Sequence, residues 1–359
     1  MHIGIPKETK DHEYRVALTP EGARRLVEAG HDVSFETGAG AAVGYADTAY
    51  RAAGARLVNA AEAWSAALVV KVKEPQPAEI AHLRDGQLLF CYLHLAAAPQ
   101  LARDLMARGA TAIAYETVSD AAGRLPLLAP MSDIAGRLAP QVGALGLHKT
   151  HGGNGKLIGG LPGVAPAHVV VLGAGVVGLG AARAAAGLGA RVTLLDRLAD
   201  KLAHAETLPG GRVFTRFSSP DTIAACLADA DIVVGAAQIP GRHAPRLIPL
   251  DLLRRMPQGS VLVDVAIDQG GVAETSRPTT HSAPFFIAEG VVHYCVTNMP
   301  GAVARTATEA LTHATLPYVL ALAGHGLVAL DHDPGLKAGL HVHAGRIAHA
   351  GLAEDLAGR

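Results

Sequence analysis

The segment AHVVVLGAGVVGLGAARAAAGLGARVTLLDR, residues 167–197, constrains the chain more than any other. An apolar run ends in glycines, a small-residue helical pattern opens at once, and a second apolar run ends in an acid. That order reads as a βαβ unit with parallel strands. Within GAGVVG, Gly173 allows the tight turn, Gly175 lets the backbone approach a pyrophosphate, and Gly178 lets the helix pack near the strand. The helix N-terminus favours phosphate charge. Asp196, closing the second strand, is placed to accept hydrogen bonds from ribose hydroxyls and to repel a 2′-phosphate, so NAD is expected over NADP; Arg197 beside it weakens that exclusion. Glycine-rich turns also occur for structural reasons alone, but strand, helix and distal acid together favour a dinucleotide site.

A chain of 359 residues has room for two domains. Half its residues are apolar, and Lys+Arg 31 nearly cancels Asp+Glu 32, so a large core is expected and neither nucleic acid nor an anionic membrane is an expected partner. No uninterrupted apolar run reaches about 18 residues, and MHIGIPKETK has neither the h-region nor the cleavage site of a secretory leader; a soluble, cytoplasmic protein is expected. Cys91, Cys226 and Cys295 are an odd number without CxxC spacing, hence expected as reduced, packed thiols.

Strand and helix patterns alternate through HIGIPK, PEGARRLVEAG, HDVSFETG, ALVVKVKEP, QLLFCYLH, PQLARDLMARGA and TAIAYETV, giving one α/β unit. A helical stretch from about Met131 leads into the Gly-rich loop or hairpin HGGNGKLIGGLPG, the βαβ unit, and the strands DIVVGA and SVLVDVAID. The later helical pattern ATEALTHATLPYVLALAGHG is interrupted by Pro317, and residues 336–358 read as a small helical tail packing back on the first unit. The expected fold class is α/β, with two Rossmann-like domains. A central NAD-binding domain, 128–303, is inserted in a discontinuous substrate/catalytic domain, 1–127 and 304–359.

Four side chains near strand ends carry candidate chemistry. Arg15 in YRVALTP can hold a carboxylate through two hydrogen bonds, or form a surface ion pair. Lys73 ends the run LVVKVK, with Lys71 two places before it on the same face, and is either an ammonium at the carboxyl end of a buried strand or a solvated strand end. His94 ends LLFCYLH as a proton carrier or as a hydrogen-bonded core group. Asp268 closes SVLVDVAID at the nucleotide unit, with Asp264 in the same strand as the competing, more structural acid. Together they supply two cations, a base and an acid, suited to hydride transfer with a small acid bearing a carbonyl or amine.

The motifs MHIGIPKETKDHEYRVALTP, KVKEP, LFCYLHLA, AYETV, PLLAPMS, GAGVVG, VDVAIDQGG, SRPTT and NMPGAVARTAT, in this order over nearly the full length, resemble those of the bacterial alanine dehydrogenases. The resemblance implies reversible, NAD-dependent oxidative deamination of L-alanine to pyruvate, ammonium and NADH, a role in L-alanine catabolism, and a homohexamer. It implies that Arg15 and Lys73 bind substrate, that His94 is the proton donor and acceptor, and that Asp268 is the second catalytic residue, handling the water that hydrolyses the imine and orienting the ammonia in reverse. For NAD it points to Ser132, Val176, Val177, Asp196, Lys201, Ser218, Ala237, Gln238, Val265, Ala266, Ile267, Asp268, Arg277, Val296, Thr297, Asn298 and Met299. Tyr92, Met131 and Asn298 are the expected limits on substrate size.

Three departures stand out. Some relatives pair an acid with the histidine of the post-proline helix, but the acid position here is Ala321 while His325 remains, so no metal is expected there. His341, His343 and His349 do not share a helix face and are expected on a polar surface. Pro140 falls inside a helical pattern and is expected to kink it. Competing functions are the NAD-binding component of a proton-translocating transhydrogenase, a saccharopine-dehydrogenase-like enzyme and a non-catalytic NAD sensor.

Overall fold

A computed structural model describes residues 1–207, 213–238 and 243–357. The strands are β1 His2–Ile5, β2 Asp32–Glu36, β3 Arg56–Val58, β4 Leu68–Val70, β5 Leu88–Cys91, β6 Thr111–Ala114, β7 His168–Leu172, β8 Arg191–Asp196, β9 Val213–Phe217, β10 Ile232–Gly235, β11 Val261–Asp264, β12 Phe285–Ala288, β13 Val291–Tyr294, β14 Leu340–His343 and β15 Arg346–Ile347. Packing divides the chain into two compact units, Met1–Met131 with Gly301–Arg359, and Ser132–Pro300.

The sheet of the first unit runs β15-β14-β6-β5-β4-β1-β2-β3. Its six strands from β3 to β6 are parallel, and β14 and β15 add an antiparallel edge. Buried strands such as LVV and LLFC lack polar alternation because helices cover both faces of such sheets. The helix Pro20–Glu28 starts where Thr19 accepts the Gly22 N–H and Pro20 supplies a preset φ. It buries Gly22, Ala23 and Leu26. The long helix Ala304–His325 carries the apolar composition and length of a membrane-crossing segment, yet its stripe of Ala307, Leu311, Val319 and Leu322 is buried in this unit.

The second unit has the order β12-β13-β11-β10-β7-β8-β9, parallel except for β12 on β13. All five residues of β7 are buried, and Val169 and Val171 face one cluster while Val170 and Leu172 face another, so the sheet is covered on both sides.

Several expectations need correction. The tail is not helical throughout: Leu340–His343 and Arg346–Ile347 form a hairpin, closed at Ala344 (φ +49°) and Gly345 (φ +72°), and only Ala350–Ala357 is a full helix. Gly358, the last residue of that expected helix, lies outside the described residues. The alternation Leu-His-Val-His has the period of a strand, and β6 offers it an edge. His341 is accordingly buried rather than on a polar surface, with its Nε2 2.9 Å from Thr117 Oγ1 and its ring 4.8 Å from that of His349. Pro317 does not interrupt Ala304–His325; Pro140 lies inside the helix Ala129–Gly146, as its helical pattern leads one to expect. The strand expected to reach Asp268 stops at Asp264; Asp268 falls in the following turn, Ile267–Gln269. Likewise β4 stops at Val70, before both lysines.

Candidate active site

In the first unit β1 and β4 are neighbours, β1 leading outward to β2 and β4 to β5, which makes their carboxyl ends a topological switch point. Arg15, in the segment after β1, is 2% exposed. Its Nε donates to Glu13 Oε1 at 2.7 Å, Nη2 to Glu13 Oε2 at 2.5 Å, and Nη1 to Met131 Sδ at 3.1 Å. The ion pair is therefore internal, not the surface pair that position alone allowed. Burial works against the guanidinium charge, but the Glu13 hydrogen bonds and charge outweigh it and raise its pKa.

The two lysines after β4 divide their work. Lys71 is wholly buried, with its ammonium 3.2 Å from Glu8 Oε2 and 3.1 Å from Glu79 Oε1. Lys73 is half-buried, and among the described residues its ammonium has no hydrogen bond or ion pair. Burial first, then the positive charges of Arg15 and Lys10, hold Lys73 below the ordinary lysine range. Lys10 is itself paired with Glu74 at 2.5 Å. A cation so placed, beside a second fixed cation, is stabilised by an incoming anion.

His94, after β5, is not a core histidine: its side chain is 48% exposed. It adopts φ +48°, a left-handed conformation uncommon outside glycine. Its N–H donates to Glu116 Oε1 at 2.6 Å, and its ring lies parallel to that of Tyr92, centroids 5.9 Å apart. The Tyr92 hydroxyl donates to the Leu127 carbonyl at 2.6 Å, so the ring is anchored at its far end. Arg15, Lys73, Tyr92, His94 and Met131 thus belong to one edge of one unit.

In the second unit β7 and β10 are the neighbours where the strand order reverses. Gly173 has φ +105°, and a Cβ there would come 2.9 Å from the Ala236 carbonyl and the Ala237 Cα. A Cβ on Gly178 would fall 1.8 Å from the Gly173 carbonyl oxygen, so helix Val176–Gly187 can approach β7 only with glycine there. A Cβ on Gly175 would meet nothing within 4 Å, leaving space for a ligand at the amino end of that helix. Asp196 Oδ2 accepts the Ala174 N–H at 2.8 Å and Oδ1 the Leu198 N–H at 3.0 Å; Lys201 Nζ lies 3.9 Å from Oδ2. Each carboxylate oxygen keeps acceptor capacity for a ribose hydroxyl. This glycine cradle, with an acid tied to it, fits a dinucleotide.

Ser218 donates its N–H to the Asp196 carbonyl at 2.9 Å, beside the same cradle. Ala237 and Gln238 follow β10, Val265–Asp268 follow β11, and Val296–Met299 follow β13, all at carboxyl ends. Asn298 has φ +60°. Arg277 is exposed, its guanidinium carbon 4.1 Å from the Phe286 ring centroid, and half-buried Ser132 lies in helix Ala129–Gly146. Asp268 is exposed, with no hydrogen bond or ion pair among the described residues. Asp264 is buried and accepts from Val272 N–H at 2.7 Å, Ser276 Oγ at 2.5 Å and Ala266 N–H at 3.1 Å, which are the bonds of a turn-closing acid.

Residues 4–135 match the family model described as alanine dehydrogenase/PNT, N-terminal domain, and residues 139–350 its C-terminal domain. The chain belongs to the alanine dehydrogenase/PNT family. It is 55% identical to the alanine dehydrogenase of Halomonas elongata over 99% of this chain and 96% of that one, and 50% identical to that of Bacillus subtilis over 99% and 95%. A solved L-alanine dehydrogenase superposes with a TM-score of 0.97 at 52% identity, covering 100% of this chain and 99% of its own. The transhydrogenase of Sinorhizobium meliloti gives 0.83 at 27% identity, covering 98% and 99%.

Sequence reasoning missed the acids of this alanine dehydrogenase/PNT chain's first unit. Glu8, Glu13, Glu79 and Glu116 anchor Lys71, Arg15 and His94, and none was assigned a role. The only signal was their closeness to strand ends, as in AYETV, where Glu116 follows β6.

Proposed function

We propose that the chain catalyses the reversible, NAD-dependent oxidative deamination of L-alanine to pyruvate and ammonium. The observation that carries this reading is Lys73, a half-buried ammonium that feels the Arg15 charge and makes no hydrogen bond or ion pair among the described residues. The alanine-acting relatives, at 50–55% identity, favour alanine as the anion, and the transhydrogenase match is much weaker.

Bound NAD supplies the hydride acceptor, and its reduced form the donor. Gly173, Gly175, Gly178, Val176 and Val177 hold its pyrophosphate through the backbone, and Asp196 its ribose. Ser132, Lys201, Ser218, Ala237, Gln238, Val265–Asp268, Arg277 and Val296–Met299 complete the cofactor contacts. Arg15 and Lys73 hold the carboxylate of alanine bound as the free amine. Loss of hydride from Cα of the free amine leaves a protonated imine; His94 or Asp268 takes a proton from the attacking water, one returns to the carbinolamine nitrogen, and the hydroxyl gives up its proton as ammonia departs and pyruvate forms. Tyr92, Met131 and Asn298 limit the side chain accepted. Three buried free thiols suit a reducing cytoplasm, and the proposed assembly is a homohexamer acting in alanine catabolism.

NADH formation from L-alanine and NAD tests the reading, with L-lysine, glycine and NADP as controls. Turnover should need L-alanine and NAD, and should fall by about 10²–10⁴-fold in His94→Ala with NADH binding intact. Tight NADH binding without turnover of any amino acid would overturn it in favour of a transhydrogenase component or a sensor.

A further inference from the structure

One carboxylate ties the segment after β5 to the turn after β6. Glu116, in the turn Tyr115–Thr117, accepts the His94 N–H through Oε1 at 2.6 Å and the Leu93 N–H at 3.3 and 3.2 Å through its two oxygens. Those two amides lead into the left-handed conformation at His94, which a side-chain-bearing residue holds only when its surroundings enforce it. The same Oε1 lies 3.9 Å from His94 Nδ1, too far for a hydrogen bond but within ion-pair reach. The Glu116 side chain is 12% exposed, so its charge is weakly screened.

The other titratable groups near this pair do not take over that role. Tyr92 packs parallel to the imidazole, its phenol raised by burial and bonded to Leu127. Cys91 is buried, its thiol pushed up. His341, held neutral by burial, feels Glu116, His349 and His94, and its Nε2 is engaged by Thr117. Among the described residues Glu116 is the acid paired with His94.

We propose that Glu116 is the positioning residue for His94: its carboxylate fixes the left-handed backbone and draws the ring proton to Nδ1, which leaves Nε2 as the base. This rests on reading His94 as the proton carrier. The proton on one imidazole nitrogen is set by what faces it, and a carboxylate facing Nδ1 favours the Nδ1–H tautomer. A Glu116 that served only the backbone could be replaced by glutamine, whose amide oxygen accepts the same N–H groups, without effect on the ring.

Selective ¹⁵N-histidine labelling, with His94→Gln used to assign the resonance, reads the tautomer of His94 in the full-length parent and in Glu116→Gln. The parent should show Nδ1–H, and Glu116→Gln, which keeps an acceptor for the two amides but loses the charge facing Nδ1, should shift the ring toward Nε2–H. In turnover, kcat should drop about tenfold or more with KM for L-alanine within about twofold, and Glu116→Asp should recover part of it. An Nε2–H tautomer in the parent, or an unchanged tautomer in the variant, overturns the proposal. The parent tautomer alone decides if Glu116→Gln does not fold. A parent with the Nδ1–H tautomer and the expected shift, but no turnover of L-alanine, would keep the positioning role and overturn the reaction.

Discussion

The two sheets share the same order of six parallel strands, β3-β2-β1-β4-β5-β6 in one and β9-β8-β7-β10-β11-β13 in the other, and each places its candidate residues past the carboxyl ends. They furnish those ends differently. The second relies on backbone, with glycines where a Cβ would strike Ala236 or the Gly173 carbonyl. The first relies on charged side chains held by other charged side chains: Arg15 by Glu13, Lys71 by Glu8 and Glu79, His94 by Glu116. A pyrophosphate can be met by amides at a helix start, whereas a small carboxylate needs cations, and buried cations need anchoring acids.

The sharpest test of that contrast separates the two lysines after β4. Lys71→Met leaves Glu8 and Glu79 buried without their shared cation, and should lower unfolding stability by about 3–5 kcal/mol. Lys73→Met removes an ammonium that the fold already disfavours, and should change stability by less than about 1 kcal/mol while raising KM for L-alanine. Urea unfolding and steady-state kinetics on both variants decide it. Equal losses of stability would mean that Lys73 too is a structural cation. Because Lys73 deprotonates below the ordinary lysine range, KM for pyruvate should also climb at a pH where a free lysine would still be charged.

How much of this was legible in the sequence follows the same divide. The cradle of the second unit was readable because each glycine answers a local backbone demand, and local demands have fixed spacing. The sheets were readable from their apolar runs. The anchors Glu8 and Glu116 were not, because they are far along the chain from Lys71 and His94 and meet them only through strand order. The tail failed for a related reason: LHVH has strand period, but only the open edge of β6 turns that into a strand, and this buries His341.

That misplaced histidine gives the next test, and it bears on the charged unit. Burial, opposed by Glu116 and aided by His349 and His94, pushes His341 down to about 4. It is neutral in the fold, while the unfolded chain gains a proton near the ordinary 6.5. Its contribution is therefore fully present above pH 6.5 and is lost as pH falls toward 4, by about 2–3 kcal/mol at pH 4.5. His341→Gln should flatten that acid loss in urea unfolding at pH 7 and 4.5. His168 and His293 of the second unit are also lowered by burial, so an unaltered slope in His341→Gln would move the acid sensitivity to that unit.

The smallest effect on stability, and the cleanest separation of fold from ligand, comes from two glycines three residues apart. Gly178→Ala places a methyl 1.8 Å from the Gly173 carbonyl oxygen, so the helix must retreat from β7, at a cost of about 1–3 kcal/mol. Gly175→Ala meets no atom within 4 Å, and its φ of −80° with ψ −168° suits alanine; stability should stay within about 0.5 kcal/mol. If the open space at Gly175 receives the pyrophosphate, the same methyl should weaken NADH binding by about tenfold or more, since it blocks amides that nothing else replaces. Thermal unfolding and NADH fluorescence titration on the two variants give four numbers. Stable Gly175→Ala with parental NADH affinity would remove the cradle from the binding site and leave these glycines as packing devices only.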